Sequence, residues 1–126
     1  MKFNFDVRTG SITVSAKLTG PRGADVFTLI LDTGADTTVI NPAPIRDLGL
    51  ETRQSKKIRL VTASGVEIGS TACIPRFSSL GKTKLNFEIV TLPLPKSIAA
   101  DGVLGLDFFR GFELNINFKM GQIKLK

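Results

Sequence analysis

Apolar and polar residues alternate with a period of two along most of the chain, the pattern of strands with one face toward a core. Phe3, Phe5 and Val7 alternate with polar neighbours, and Ile12, Val14, Ala16 and Leu18 repeat the pattern after a Gly10-Ser11 turn. Thr19 to Asp25, TGPRGAD, reads as a loop, and Val26 to Leu31 as a more continuously apolar interior strand. NPAP, Asn41 to Pro44, breaks the chain after Ile40, and Pro44 to Leu48 predicts one helical turn ending at Gly49. Lys57 to Thr62 and Val66 to Thr71 are strand-like, joined by the turn signal Ala63-Ser64-Gly65. Leu85 to Leu92 predicts another strand, closed by Pro93 and Pro95. Leu106 to Arg110 fits a short helix between Gly105 and Gly111, and the chain ends in a hairpin pattern turning at Lys119-Met120-Gly121. Many short strands punctuated by turns predict an all-β fold, a barrel or a sandwich.

Composition narrows the chemistry. A chain of 126 residues suits a single domain, 1–126, and has no internal repeat or linker. It contains no histidine and one cysteine, Cys73. Ser-His-Asp and Cys-His catalysis are therefore excluded, and the usual His/Cys zinc sites have no ligands. No cofactor or metal is expected. Acid–base chemistry near neutral pH must come from carboxylates or lysine. One cysteine makes no intramolecular disulfide, so no oxidising compartment is implied. No apolar run reaches the ~20 residues that span a bilayer, and the alternating N-terminus is not a signal peptide. A cytoplasmic location is the expectation. The net charge of +6 is scattered, densest over Arg53 to Arg59, and is compatible with plain solubility or with an anionic partner.

Two motif matches fail. SLGKT, Ser79 to Thr83, resembles the end of a phosphate-binding loop, but Arg76 stands where that loop needs its first glycine. Ser79 and Lys82 match S-x-x-K without the partner motifs of that family. Both read as a polar turn.

The match that survives is Leu31-Asp32-Thr33-Gly34-Ala35-Asp36, an acidic turn closing an apolar strand. Hydrophobic-Asp-Thr-Gly-Ala resembles the signature of the aspartic proteases, and Asp-Thr-Gly-Ala-Asp resembles their retropepsin-like, single-lobe branch. DGVLGLDFF, Asp101 to Phe109, about seventy residues downstream, resembles the second signature of that family. The hairpin tipped by Ala63-Ser64-Gly65 lies between the two, where the family has its flap.

The resemblance implies an all-β, closed barrel-like lobe with one short helix, acting as an aspartic endopeptidase. It implies that Asp32 is a catalytic carboxylate, that Thr33 braces the loop across a dimer axis, and that Gly34 lets backbone approach the site. Ala35, Asp36, Ser64 and Gly65 would contact an extended peptide or protein substrate, and Val39, Val103 and Leu104 are candidate pocket walls or plain core. The family chemistry needs two carboxylates that share a proton. This chain has one Asp-Thr-Gly, so the second carboxylate should be Asp32 of another copy in a homodimer. Two departures stand out. Leu106 occupies the place of an arginine that pairs the acid equivalent to Asp36 in retroviral members, leaving Asp36 solvated or paired with Arg110 or another base. The flap tip lacks the glycine-rich sequence of viral enzymes. The terminal strands are expected either to pair at the dimer interface or to form a different one.

Two rival functions fit the fold class. A basic β-barrel binding nucleic acid would need a cationic groove with stacking aromatics. The chain has no Trp or Tyr, and several of its nine Phe fall on apparent core faces, so nucleic acid is not the expected partner. A retropepsin-like lobe without activity would serve as a dimerisation module, against which the intact Asp-Thr-Gly argues.

Overall fold

The computed structural model describes residues 1–62 and 65–126, with the backbone alone at 55–62 and at Glu67. The elements are β1 (Lys2–Asn4), β2 (Thr13–Gly20), β3 (Gly23–Leu31), β4 (Val39–Ile40), α1 (Pro42–Asp47), β5 (Arg53–Thr62), β6 (Gly65–Ser79), β7 (Lys82–Thr91), β8 (Gly102–Leu104), α2 (Leu106–Phe109), β9 (Leu114–Asn117) and β10 (Gln122–Leu125). Two short helices are present where the fold class anticipated one. α1 starts with Pro42 at its first turn, where a missing N–H costs nothing, and buries Ile45.

Strands β2-β3-β8-β4-β7-β6 are neighbours in that order, and β6 pairs back onto β2 through Ala16↔Ser79 to Thr19↔Arg76. That last pairing closes a six-stranded barrel, with β5 added beside β6. The alternation in β2 does what the pattern predicts: Val14, Ala16 and Leu18 are buried and Thr13, Ser15 and Lys17 exposed. The predicted Thr19–Asp25 loop is much tighter. β2 runs to Gly20, paired with Gly23, so only Pro21 and Arg22 form the turn. Pro21 pre-sets one turn dihedral, and Gly23 takes the φ of +123° that other residues avoid.

The failed phosphate-loop match is the β6–β7 turn, with Ser79 paired to Lys82 and Leu80-Gly81 at the tip. Both tip residues have positive φ, as a two-residue hairpin turn requires. Leu80 bears that strain because its side chain is buried.

The barrel interior holds Ala16, Leu18, Leu29, Ile40, Ile74, Phe77, Ile89, Leu104 and Phe108. A three-stranded sheet, β1-β10-β9, packs on the same core through Ile123 and Leu125, with Phe3, Leu114 and Ile116 leaning on it. β10 is flanked on both sides by strands of its own chain. Among the described residues no helix is long and apolar enough to cross a membrane.

Candidate active site

Strand β3 delivers Asp32 to a turn. Leu31 is buried and its N–H donates to Ile12 O (2.8 Å); Asp32 N–H donates to Leu104 O (3.0 Å), and Ala35 N–H donates back to Asp32 O (3.2 Å). Gly34 N–H donates to Asp32 Oδ1 (2.9 Å). A side chain at position 34 would place its Cβ 3.1 Å from that same oxygen, so glycine keeps the carboxylate clear. Among the described residues the Asp32 carboxylate accepts this one hydrogen bond, and Oδ2 is left for another partner. Asp32 is half-buried, and Thr33 and Gly34 are exposed.

Strand β8 lies between the two arms of this loop. It runs parallel to β3 (Leu29↔Gly102, Leu31↔Leu104) and antiparallel to β4 (Val39↔Val103, Ile40↔Gly102). The insertion needs its glycines. A Cβ at Gly102 would sit 2.3 Å from Val39 O, and one at Gly105 would sit 2.8 Å from Ala35 O and from Thr37 O. No side chain fits at either distance, which is why this segment reads Gly-Val-Leu-Gly.

A buried polar latch locks the arms beyond β8. Thr38 is fully buried; its Oγ1 accepts from Gly105 N–H (3.1 Å) and donates to Asp107 Oδ1 (2.7 Å), while its N–H reaches both Asp107 oxygens at 3.0 Å. Phe108 N–H also donates to Asp107 Oδ1 (2.9 Å). Leu106 N–H donates to Ala35 O (2.8 Å) and Asp107 N–H to Asp36 O (3.2 Å). The Asp107 carbonyl accepts from Lys84 Nζ (3.0 Å), whose ammonium lies 5.5 Å from the Phe108 and Phe112 ring centres and 5.6 Å from that of Phe87. Buried polar groups are costly unless paired, and here each is paired.

The other end of the segment is held as firmly. Asp101 Oδ2 accepts from Thr28 N–H (2.9 Å), Asp101 N–H donates to Thr28 O (2.8 Å), and Asn41 N–H donates to Asp101 O (2.9 Å). Asn41 Oδ1 in turn accepts from Leu94 N–H (2.8 Å).

Asp32 through Asp36 therefore form one loop, bridged from below by the second signature segment. Leu104 is fully buried in the barrel, so it is core, whereas Val39 and Val103 are half-buried. Ser64 lies outside the described residues. Gly65 opens β6 in the hairpin with β5, exposed and with φ +133°. Asp36 is exposed, and among the described residues its carboxylate has neither a hydrogen bond nor an ion pair. Arg110 is also exposed and does not pair with it.

Thr38 and Asp107 were not anticipated as parts of the site. The available signal was a threonine and an aspartate embedded in two apolar runs, TVI and GLDFF. Two such polar residues, both placed beside glycine-rich or apolar strand ends, are candidates to satisfy each other.

A small closed β-barrel in which one strand threads the two arms of an Asp-Thr-Gly loop is the architecture of a retropepsin-like lobe. The family model described as "Aspartyl protease" matches residues 14–108, and the chain belongs to that family. By fold it is similar to a retropepsin-like aspartic protease from Rickettsia conorii, at 16% identity and TM-score 0.72, covering 99% of this chain and 88% of that one. It is also similar to the EIAV protease complexed with the inhibitor HBY-793, at 16% identity and TM-score 0.63, covering 86% and 92% of the two chains. No curated protein matches it by sequence.

Proposed function

We propose that residues 1–126 form one lobe of an aspartic endopeptidase that works as a homodimer. The observation that carries this reading is the Asp32 turn. Asp32 is half-buried, and its carboxylate is braced on one oxygen by Gly34 N–H with no bond to the other among the described residues. A second copy related by a two-fold axis would bring the same turn face to face, the arrangement a closed isologous dimer produces. Two carboxylates about 3 Å apart cannot both ionise, so the pair would hold one proton between them.

In the proposed reaction the charged carboxylate takes a proton from a bound water as its oxygen attacks the scissile carbonyl carbon. The protonated partner donates to the carbonyl oxygen. The tetrahedral adduct then collapses, the C–N bond breaks, and the amine leaves with a proton. Thr33 would brace the paired turns across the axis. The substrate would lie extended, as an added strand, against Ala35 and Asp36. The β5–β6 hairpin would close over the substrate and exclude water, with Ser64 and Gly65 as the proposed contacts. Val103 and Val39 are left as candidate pocket walls.

The test is digestion of a mixed peptide library from acidic to neutral pH, beside Asp32→Asn, with sedimentation at micromolar concentration. Cleavage by the wild-type dimer and none by Asp32→Asn is expected. Cleavage that survives Asp32→Asn would refute the assigned carboxylate, and an active strict monomer would refute the shared site.

A further inference from the structure

Asp36 is an acid of the proposed site that has no counter-charge among the described residues. Its backbone is fixed, because its carbonyl accepts from Asp107 N–H at 3.2 Å. Its carboxylate is exposed and has no partner among the described residues, in a chain with 17 Lys and Arg against 11 Asp and Glu. Leu106, the residue at the expected arginine position, is half-buried and uses its N–H on Ala35 O. The acid of the chain's second signature, Asp107, by contrast accepts hydrogen bonds from Thr38 N–H, Thr38 Oγ1 and Phe108 N–H.

We propose that Asp36 takes its counter-charge from the substrate, selecting peptides that carry Lys or Arg on both sides of the scissile bond. This rests on the dimeric protease reading. Asp36 is four residues from Asp32 on the same loop, so a two-fold dimer sets one Asp36 on each side of the paired carboxylates. An extended peptide crossing that axis meets both. A basic side chain gains an ion pair, strengthened as the peptide and the covering hairpin displace water. A neutral side chain leaves Asp36 desolvated without a partner, and an acidic one sets like charges together, so discrimination works in both directions. The net charge of +6 opposes a basic peptide at long range. That repulsion is largely screened beyond about 8 Å at physiological salt, whereas the contact pair is screened only in part, so contact decides selection.

The experiment sequences the cut sites of a mixed peptide library, then compares kcat/KM on matched peptides bearing Lys, Gln or Glu at the enriched positions. Lys and Arg are expected on both sides of the cut. Each Lys-for-Gln exchange should raise kcat/KM about fivefold, the upper end for an exposed ion pair, and the ratio should shrink with added salt. Asp36→Asn should remove the ratio, and Asp36→Glu should keep it. A wild-type ratio near one, or one insensitive to salt, overturns the inference and leaves the protease reading standing. A preference that survives Asp36→Asn overturns the assignment to this residue. Absence of all cleavage overturns the protease reading, and this inference with it.

Discussion

The loop that carries Asp32 has a floor and a rim, and the two treat a carboxylate in opposite ways. On the floor, Asp107 accepts from Thr38 N–H, Thr38 Oγ1 and Phe108 N–H, all within 3.0 Å, between segments 69 residues apart in sequence. On the rim, the Asp32 carboxylate accepts a single N–H among the described residues and the Asp36 carboxylate accepts none. A carboxylate with its acceptor sites filled holds chain segments together. One with sites left open can take a ligand, a proton or a water. Acid content alone would have ranked these residues equally; their hydrogen bonding separates them.

The largest expected effect is on the rim. Asp32→Asn should lower peptide hydrolysis by roughly 10²–10⁴-fold, the range for loss of a general acid–base group, with the urea midpoint unchanged. A large loss of stability in this variant would mean that Asp32 belongs to the floor.

Next comes Asp107→Ala. It strands Thr38 N–H, Phe108 N–H and part of the Thr38 hydroxyl in the interior, and should cost about 3 kcal/mol by urea unfolding. Asp36→Ala should cost less than ~0.5 kcal/mol, as exposed substitutions do. Equal costs for the two would erase the distinction drawn here.

Gly102→Ala should cost about 2 kcal/mol, since overpacked substitutions force the backbone to move, and its Cβ would meet Val39 O at 2.3 Å. Thermal unfolding reports it. Tolerance of alanine there would mean that β8 is not tightly clasped between the arms.

The smallest effect lies far from the loop. Asp6 is held below its ordinary carboxylate range, first by the Arg8 side chain and then by Arg8 N–H, and the pair is exposed. A depressed native pKa stabilises the fold above the ordinary range, and that stabilisation is lost as pH falls through the native pKa. Solvent and salt screen an exposed pair. Asp6→Asn should therefore leave the acid limb of the stability–pH profile unshifted within error.

Much of this molecule could be read along the chain. The burial of Val14, Ala16 and Leu18 follows from alternation, the Leu80-Gly81 turn from its glycine and the polar residues around it, and the candidate loop from Leu31 to Asp36 as a motif. Where the structure departs from the local pattern, the cause is physical. TGPRGAD reads as a seven-residue loop because Gly, Pro and Asp are turn residues, yet Gly20 and Gly23 pair and leave two residues in the turn. Leu104, a candidate pocket wall or plain core beside Val103, is core, because neighbouring residues of a strand face opposite ways. Prolines mark the α1 turn, and the structure carries it as a second short helix beside α2.

Asp107 shows where local reading stops. An aspartate before two phenylalanines could cap α2, sit in solvent or bind a ligand, and nothing within several residues chooses among these. Its partner Thr38 becomes a neighbour only when β8 enters between β3 and β4. The same crossing decides that Gly102 and Gly105 can carry no side chain. Strand period, turn chemistry and the Asp-Thr-Gly motif act over a few residues, so the chain alone specifies them. Which carboxylate is saturated and which is left open depends on contacts made across some seventy residues once the barrel closes. Those contacts exist only in three dimensions.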